Sequence, residues 1–343
     1  MKKKIIAIIL LCFLLCGCDL YPPIPEAPTA PEGETLLVHF IDVGQADCTL
    51  LECGGEFMLI DGGNREDSDL VVAYLEQQGV EELSAVVCTH AHEDHVGGLP
   101  AVLAVFPTKA VYSPTKTYAS SVFDKFMHYV DQQRLEVTLP EPGKQFSLGS
   151  AEVTILGPVK SYAETNDTSI ILKVEFGENS FLFTGDMEIV AENDMLDAGM
   201  DVTADVLKVG HHGSDTSTGY RFLYEVAPDY AVISVGDGNS YGHPNDSTLS
   251  KIRDAGCTIF RTDHLGTVVA SCDGSEITFT WENQNAKPEN ALAAVTEYIG
   301  NVNSRKFHTG DCASLPSEKN RVVFESYPAA IEAGYTPCGS CLP

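Results

Sequence analysis

Short apolar runs separated by turn residues dominate the chain between residues 35 and 283. Strands are predicted for the runs TLLVHFID, CTLLEC, EFMLID, LSAVVCTH, TSIILKVEF, SFLFTGD, ADVLKVGHHGS, DYAVISVG, GTVVASC and EITFTW. Helical spacing intervenes in DLVVAYLEQQG, MEIVAENDMLDAG and TLSKIRDAG, and Gly79 fits a C-terminal helix cap. This mixture of strands and helices predicts an α/β or α+β domain of about 250 residues.

The N-terminus has the pattern of an export signal. MKKK precedes the apolar run IIAIILLCFLL, which is too short to span a bilayer comfortably. LCGC follows and resembles the lipobox of bacterial lipoproteins, which implies cleavage before Cys18 and a lipid on its thiol. The alternative is an ordinary secretory signal. We expect an exported lipoprotein on the outer face of the bacterial cell membrane.

Composition shifts divide the rest of the chain. DLYPPIPEAPTAPEGE is rich in proline and predicts an extended tether, and ENQNAKPENA is a polar, proline-containing linker. The predicted divisions are a signal peptide (1–17), a Pro-rich tether (18–34), a principal domain (35–283), a linker (284–295) and a cysteine-rich module (296–343).

The net charge of the chain bears on what it can bind. Its 343 residues carry a formal charge of -28, far from the basic balance that is usual for nucleic-acid-binding proteins. A polyanionic substrate would therefore require metal ions or a local basic patch to offset the repulsion.

The segment THAHEDHVGG concentrates coordinating side chains directly after an apolar strand. It contains three of the ten histidines of the chain within six residues, which disfavours a merely solvated polar loop. Zinc-like ions bind imidazole and carboxylate well. At this spacing one metal takes His90 and His92, and a second takes Asp94 and His95. The glycines that follow, residues 97 and 98, let the chain approach the site closely.

This segment resembles the HxHxDH signature of the metallo-β-lactamase superfamily. FLFTGD places Asp186 where that family has its metal-bridging aspartate, and LKVGHHGS places His211 and His212 where it has its last histidine ligand. Asp61 in LIDGG matches the aspartate that supports the site. The resemblance implies a four-layer αββα sandwich with two divalent ions at one sheet edge. The implied metal ligands are His90, His92, Asp94, His95, Asp186 and His212.

A narrower resemblance is to the extracellular hydrolase domain of the ComEC competence proteins. HFIDVGQADCTLL, HHGSDTST, YGHPNDSTL and RTDHLGTV match its segments in order across residues 37–270, with Ala46 replacing a glycine. By this resemblance Asp47, His243 and Asp263 support the ligands or the substrate. As residues alone, Asp47 and Asp263 are equally compatible with turn or cap roles, and a lone loop histidine such as His243 is usually just exposed.

One segment departs from many members of the superfamily. No histidine lies between His128 and His211, and ETNDTSII, with Asn166 and Asp167, occupies the place of a further ligand. ComEC-like and phosphorylcholine-esterase-like members share such a segment. One metal is then left with fewer protein ligands, which favours phosphoester chemistry over β-lactam hydrolysis.

The implied mechanism is attack on phosphorus by a metal-activated hydroxide. Asp186 bridges the metals and Asp94 orients the hydroxide. We favour His212 as the ligand, with His211 contacting phosphate or protonating the leaving oxygen.

The C-terminal tail has its own ligand spacing. HxxxC followed by CxxC, formed by His308, Cys312, Cys338 and Cys341, predicts one structural zinc. The alternative is a disulfide, since the compartment is expected to be extracellular. The tail resembles the zinc-binding domain of the Ada DNA-repair protein. His308 stands at the position of that family's methyl-accepting cysteine, which argues against methyl acceptance here.

Together these patterns predict a membrane-anchored, monomeric, extracellular phosphodiesterase or nuclease that uses two zinc or manganese ions to cleave DNA. The alternatives are a phosphorylcholine esterase acting on cell-envelope polymers and a non-catalytic module that captures DNA.

Overall fold

The computed structural model of the protein describes residues 33–289, 297–310 and 312–342. The predicted signal peptide, Cys18, most of the predicted tether and the later part of the predicted linker lie outside these residues. In the described part of the chain, no helix is both long enough and apolar enough to cross a membrane.

Strands alternate with helices along most of the described chain. The strands are β1 (Leu36–Phe40), β2 (Thr49–Cys53), β3 (Glu56–Ile60), β4 (Ala85–Val87), β5 (Val111–Tyr112), β6 (Val137–Thr138), β7 (Gln145–Leu148), β8 (Ala151–Gly157), β9 (Ile171–Phe176), β10 (Asn179–Phe183), β11 (Val206–Lys208), β12 (Tyr230–Ile233), β13 (Thr258–Arg261), β14 (Val268–Cys272), β15 (Ile277–Trp281), β16 (Tyr298–Asn301), β17 (Lys306–His308), β18 (Arg321–Phe324) and β19 (Thr336–Pro337). The α-helices are α1 (Ser68–Gln77), α2 (Glu93–Val96), α3 (Leu99–Val105), α4 (Ser121–Gln132), α5 (Ile189–Asp197), α6 (Tyr220–Val226), α7 (Asp246–Asp254), α8 (Thr262–Leu265) and α9 (Tyr327–Glu332).

The strands of the principal domain form two large sheets. The first has the order β15-β14-β1-β2-β3-β4-β5-β6, and the second has the order β13-β12-β11-β10-β9-β8-β7. Each sheet joins an antiparallel part to a parallel part, which runs from β3 to β6 in the first sheet and from β10 to β13 in the second. The predicted hairpin is present between β2 and β3.

Three buried clusters show how the layers pack. Alternate residues of strands from both sheets, such as Val38 and Phe40 of β1 and Phe181 and Phe183 of β10, share one central cluster. The opposite face of the first sheet packs with α1, α3 and α4, and that of the second packs with α5, α6 and α7. Because a strand turns successive side chains to opposite faces, this pattern requires sheet against sheet with helices outside. The predicted four-layer αββα sandwich is confirmed.

The C-terminal segment forms a small sheet of its own, in the order β18-β16-β17-β19, with α9 beside it. It packs on the principal domain through aromatic rings. The ring of Tyr327 stacks on that of Tyr220 in α6, with centroids 4.9 Å apart and an interplanar angle of 4°. The Tyr298 hydroxyl donates a hydrogen bond to Asp254 in α7. The tail is therefore attached to helices α6 and α7 of the principal domain.

The topology also fixes where the loops meet. Strands β3 and β4 are parallel neighbours in one sheet, and β10, β11 and β12 are parallel neighbours in the other. The carboxyl ends of parallel strands lie at the same sheet edge, where loops carrying chemistry collect. The predicted metal ligands follow β4, β10 or β11, and the predicted supporting residue Asp61 follows β3.

Candidate active site

The histidine-rich segment bends sharply after β4. His92 precedes α2, whose single turn carries Asp94 and His95. The two glycines that follow lie against neighbouring backbone: a Cβ on residue 97 would lie 2.3 Å from the Arg65 nitrogen, and one on residue 98 would lie 2.1 Å from the oxygen of residue 62. The expectation that these glycines permit a close approach is confirmed.

Four side chains from three loops converge at the centre of the site. Donor atoms of Asp94, His95, Asp186 and His212 all lie within 4.8 Å of one another. His95 Nε2 lies 3.3 Å from Asp186 Oδ1, and His212 Nε2 lies 3.4 Å from Asp94 Oδ2. This mixed set of imidazole and carboxylate donors suits zinc or manganese.

His90 and His92 lie beside this cluster. His90 Nε2 is 3.0 Å from His92 Nδ1 and 4.0 Å from Asp186 Oδ2. The same Oδ2 lies 3.7 Å from His212 Nε2, while Oδ1 lies 3.3 Å from His95 Nε2. Asp186 is therefore adjacent to residues of both predicted ligand groups.

The cluster contains buried polar atoms that make no hydrogen bond, among them His95 Nε2, His212 Nε2 and Asp186 Oδ1. Leaving such atoms unpaired is costly unless another partner satisfies them. Burial by itself lowers the pKa of His95, but the carboxylates of Asp186, Asp61 and Asp94 raise that pKa well above its usual value. The carboxylates around His95 thus favour positive charge at that point, and the unpaired donor atoms fit divalent metal ions.

Asp61 fixes the orientation of His95 from behind the cluster. Its Oδ1 accepts a hydrogen bond from the Thr89 backbone N–H at 2.7 Å, and its Oδ2 lies 2.8 Å from His95 Nδ1. Asp61 is fully buried and has a left-handed φ of 59°, a conformation that is uncommon outside glycine. The structure thus places it where a supporting role was predicted.

Asp47 lies directly behind His212 and is held there by Lys208, a lysine that the sequence reasoning missed. Lys208 Nζ donates to Asp47 Oδ2 at 2.9 Å, and Asp47 Oδ1 lies 3.3 Å from His212 Nδ1. The same nitrogen lies 3.0 Å from the Ser234 carbonyl oxygen. Burial alone would raise the pKa of the Asp47 carboxyl, but the Lys208 and His212 charges hold it well below its usual range. A lone lysine inside the apolar run ADVLKVG was the available signal.

His211 and His212 occupy a strained turn after β11. Their φ angles are 50° and 52°, in the left-handed region, and such strain is concentrated at functional sites. His211 Nε2 lies 3.7 Å from Asp186 Oδ2, while His211 Nδ1 lies 3.5 Å from Glu188 Oε1. His212 belongs to the central cluster and His211 flanks it. Glu188, which the sequence reasoning also missed, follows Asp186 by two residues.

His243 lies next to His211 at the edge of the site. Its ring centroid is 5.6 Å from that of His211, and its buried Nδ1 makes no hydrogen bond. Burial, followed by the charges of His211 and His212, lowers its pKa from the usual value.

The remaining predicted supporting residues have different surroundings. Asn166 lines the cavity, and its Nδ2 donates to Glu188 Oε1 at 3.3 Å. Asp167 accepts a hydrogen bond from the Glu188 backbone N–H at 3.0 Å. Asp263 is not among the described residues lining the cavity and instead pairs with Arg261, with 2.7 Å between carboxylate and guanidinium.

The site opens into a cavity of about 550 Å³. Its lining residues are Gln45, Asn64, Glu66, His92, Glu93, Asp94, Asn166, Asp186, His211, His212, Tyr241 and His243. The cluster is therefore accessible to a substrate from one side.

The tail gathers a second set of ligand atoms. Donor atoms of His308, Cys312, Cys338 and Cys341 lie within 4.8 Å of one another, and His308 Nδ1 is 3.4 Å from Cys312 Sγ. No disulfide joins the cysteines in the described part of the chain. One imidazole and three thiols around a single point are a typical donor set for structural zinc.

Comparison with known proteins identifies relatives of the principal domain. Residues 41–237 match the family described as the metallo-β-lactamase superfamily. ComE operon protein 3 of Bacillus subtilis is 28% identical over 256 residues, which cover 69% of this chain and 33% of the relative. Recombination protein 2 of Haemophilus influenzae is 31% identical over 226 residues, covering 64% of this chain and 26% of the relative. Competence protein ComA of Neisseria gonorrhoeae is 29% identical over 256 residues, covering 74% and 34%. The matches thus span about a third or less of each relative.

Proposed function

The chain belongs to the metallo-β-lactamase superfamily, and we propose that it is a metal-dependent phosphodiesterase that cleaves DNA. Six side chains would hold two divalent ions: His90, His92, Asp94, His95, Asp186 and His212. Such ions lower the pKa of a water molecule and offset charge on phosphoryl oxygens.

The position of His211 is the observation that most favours phosphoester hydrolysis. Its Nε2 points towards the central cluster, 3.7 Å from Asp186 Oδ2, and its side chain is 23% exposed to the cavity. On the opposite edge of the ring, Nδ1 lies 3.3 Å from Thr216 Oγ1 and 3.5 Å from Glu188 Oε1. A carboxylate behind an imidazole holds the ring in place. His211 is thereby oriented with Nε2 towards the site, where it would contact a phosphoryl oxygen or pass a proton to the leaving oxygen of a phosphodiester.

Other residues of the chain would position the substrate. Asn166 Oδ1 and His243 Nδ1 are buried, make no hydrogen bond and belong to cavity-lining residues. The amide and the imidazole are suited to bind the substrate or an ordered water. Asp94, which is 30% exposed, is the ligand best placed to orient the attacking oxygen.

The relatives support DNA as the substrate. Two of them are named for competence and for recombination, and both terms refer to processes that act on DNA. The formal charge of -28 opposes the binding of a polyanion, so the metal ions would have to supply much of the attraction.

A second candidate is a phosphorylcholine esterase, because Glu66, Glu93 and Tyr241 also line the cavity. Carboxylates and an aromatic ring attract a quaternary ammonium group.

One substrate panel tests the proposal. Metal-loaded protein would be incubated with single-stranded DNA, with bis-p-nitrophenyl phosphate and with p-nitrophenyl phosphorylcholine. We expect cleavage of the DNA and the generic diester. Hydrolysis of the choline ester alone would favour the second candidate. Binding of DNA without any hydrolysis would favour the non-catalytic capture module.

The proposed location is the outer face of the cell membrane, through a lipid on Cys18. It rests on the LCGC motif after a short apolar run.

The proposed tail zinc would hold the module together, since a segment this short has little apolar core.

A further inference from the structure

An exposed aromatic ring lies at the mouth of the metal cavity. Tyr241 is 71% exposed, although it lines the same cavity as Asp186, His211 and His212. Its ring stacks on that of His243 with an interplanar angle of 25° and centroids 5.8 Å apart. One face of a large aromatic side chain is therefore turned towards solvent beside the site.

The loop that carries this ring is tied down by one asparagine. The Asn239 side-chain oxygen accepts hydrogen bonds from the backbone N–H groups of Tyr241 and His243, both at 3.1 Å. Its amide nitrogen donates to the carbonyl oxygens of residues 236 and 243. Tyr241 thus extends from an ordered loop, and a group that stacks on it would not have to order the loop first.

The remainder of the described lining offers a polynucleotide little electrostatic attraction. It contains no lysine or arginine, and it includes the carboxylates of Glu66 and Glu93. Proteins that bind single-stranded nucleic acid combine contacts to the backbone with aromatic stacking. Because this lining contains no lysine or arginine, aromatic stacking is a contact to the bases that the protein can make without a cationic side chain.

The shape of the aromatic surface at Tyr241 favours a planar group over a quaternary ammonium group. Quaternary ammonium groups are recognised by cages of several aromatic rings. Apart from the histidines, Tyr241 is the one aromatic residue in the described lining, and it presents a single flat face. A flat face fits a planar group.

We propose that Tyr241 is a platform on which a nucleobase beside the scissile phosphodiester stacks. This inference rests on the proposed phosphodiesterase function and adds that the enzyme selects substrates carrying bases over a bare sugar–phosphate backbone.

The test compares two metal-loaded reactions. One uses a single-stranded oligothymidylate, and the other uses an oligonucleotide of equal length in which every base is missing. The full chain would be assayed as wild type and as Tyr241→Ala, Tyr241→Phe and Val190→Ala. Phenylalanine keeps the flat ring, and Val190 is a 62% exposed apolar residue that does not line the cavity.

We expect the wild type to prefer the oligothymidylate. Removing the ring removes the base stacking, so Tyr241→Ala should lower the ratio of the two kcat/KM values about tenfold, chiefly through KM. Tyr241→Phe and Val190→Ala should keep the wild-type ratio. Metal content, measured by elemental analysis, should be equal in all four proteins.

Two outcomes would overturn the inference alone: no wild-type preference, or an unchanged ratio in Tyr241→Ala, which includes an equal loss on both substrates. If the wild type cleaves neither substrate, the proposed function fails and the inference fails with it.

Discussion

Asp61 Oδ2 lies 2.8 Å from His95 Nδ1, and this contact leaves Nε2 as the nitrogen of His95 that faces Asp186. Partners of this kind set the tautomer and the orientation of a metal-binding histidine. The carboxylate also accepts two hydrogen bonds from Thr89, one from its backbone and one from its hydroxyl, both at 2.7 Å.

Replacement of Asp61 by asparagine should therefore weaken metal binding without removing a proposed ligand. We expect the dissociation constant for zinc or manganese to rise by about 10–100-fold. Competition with a chromophoric chelator measures it. The matched control is Asp263→Asn, which also neutralises a carboxylate but in the ion pair with Arg261. Equal affinities in wild type and Asp61→Asn would contradict the assigned role.

The buried pair of Asp47 and Lys208 gives a prediction for stability. The side chains are 7% and 3% exposed, so Asp47→Asn leaves a buried ammonium without its counter-charge. Such a loss costs about 3–5 kcal/mol, measured by urea unfolding of the chelator-treated protein. The double variant Asp47→Asn/Lys208→Met should recover much of that loss, because it removes both charges.

The dependence of stability on acidic pH tests the same pair independently. Burial alone would raise the pKa of the Asp47 carboxyl, but the charges of Lys208 and His212 hold the pKa in the folded protein below the usual value of 3.8. The stabilisation is thus fully present above that pH and is lost as the pH falls below it. Wild type should lose stability faster than the double variant over that acidic range. If the free energy of unfolding falls equally with pH in both proteins, the stabilising role of the Asp47–Lys208 pair is contradicted.

The fold and most of the site could be predicted because their signals are local. Strand patterns, the HxHxDH spacing and the strand-ending Asp186 and His212 each lie within a few residues. The contact between Lys208 and Asp47 joins positions 161 residues apart, and nothing in one sequence links them. Tyr241 and Glu188 were missed for a related reason, since ordinary surface residues acquire a role only when the loops converge.

The packing of the tail was similarly inaccessible. Its ligand spacing can be recognised within the tail, whereas the stacking of Tyr327 on Tyr220 depends on how two separately patterned segments meet.

Replacing one proposed zinc ligand in the tail should remove one zinc per chain. We expect Cys338→Ser to lose that ion and to unfold the tail, because structural zinc contributes on the order of 10 kcal/mol at neutral pH. Elemental analysis and limited proteolysis of the full chain measure both effects. Cys257→Ser is the control, since that buried thiol donates to the Pro228 carbonyl outside the cluster. Unchanged zinc content in Cys338→Ser would refute the site.

Lipidation should depend on a single cysteine. Cys18→Ala should abolish incorporation of radiolabelled palmitate in bacterial cells and release the protein from the membrane fraction, since a lipid chain supplies the proposed anchor. Cys12→Ala, within the apolar run, should label normally. Label retained in Cys18→Ala would show that the lipobox assignment is wrong.

The central claim is that Asp186 holds two metal ions for phosphodiester hydrolysis. Its Oδ2 lies near His90 and His212, and its Oδ1 lies near His95. An asparagine at this position supplies one oxygen and no charge, so it cannot serve both ions.

The most direct measurement is the rate of single-stranded DNA cleavage by manganese- or zinc-loaded wild type and Asp186→Asn, with metal content and melting temperature recorded for both. We predict an active wild type with two metal ions in the principal domain, and a mutant that is folded but at least about a hundredfold slower. A mutant that keeps near-wild-type rates and normal metal content would contradict the account.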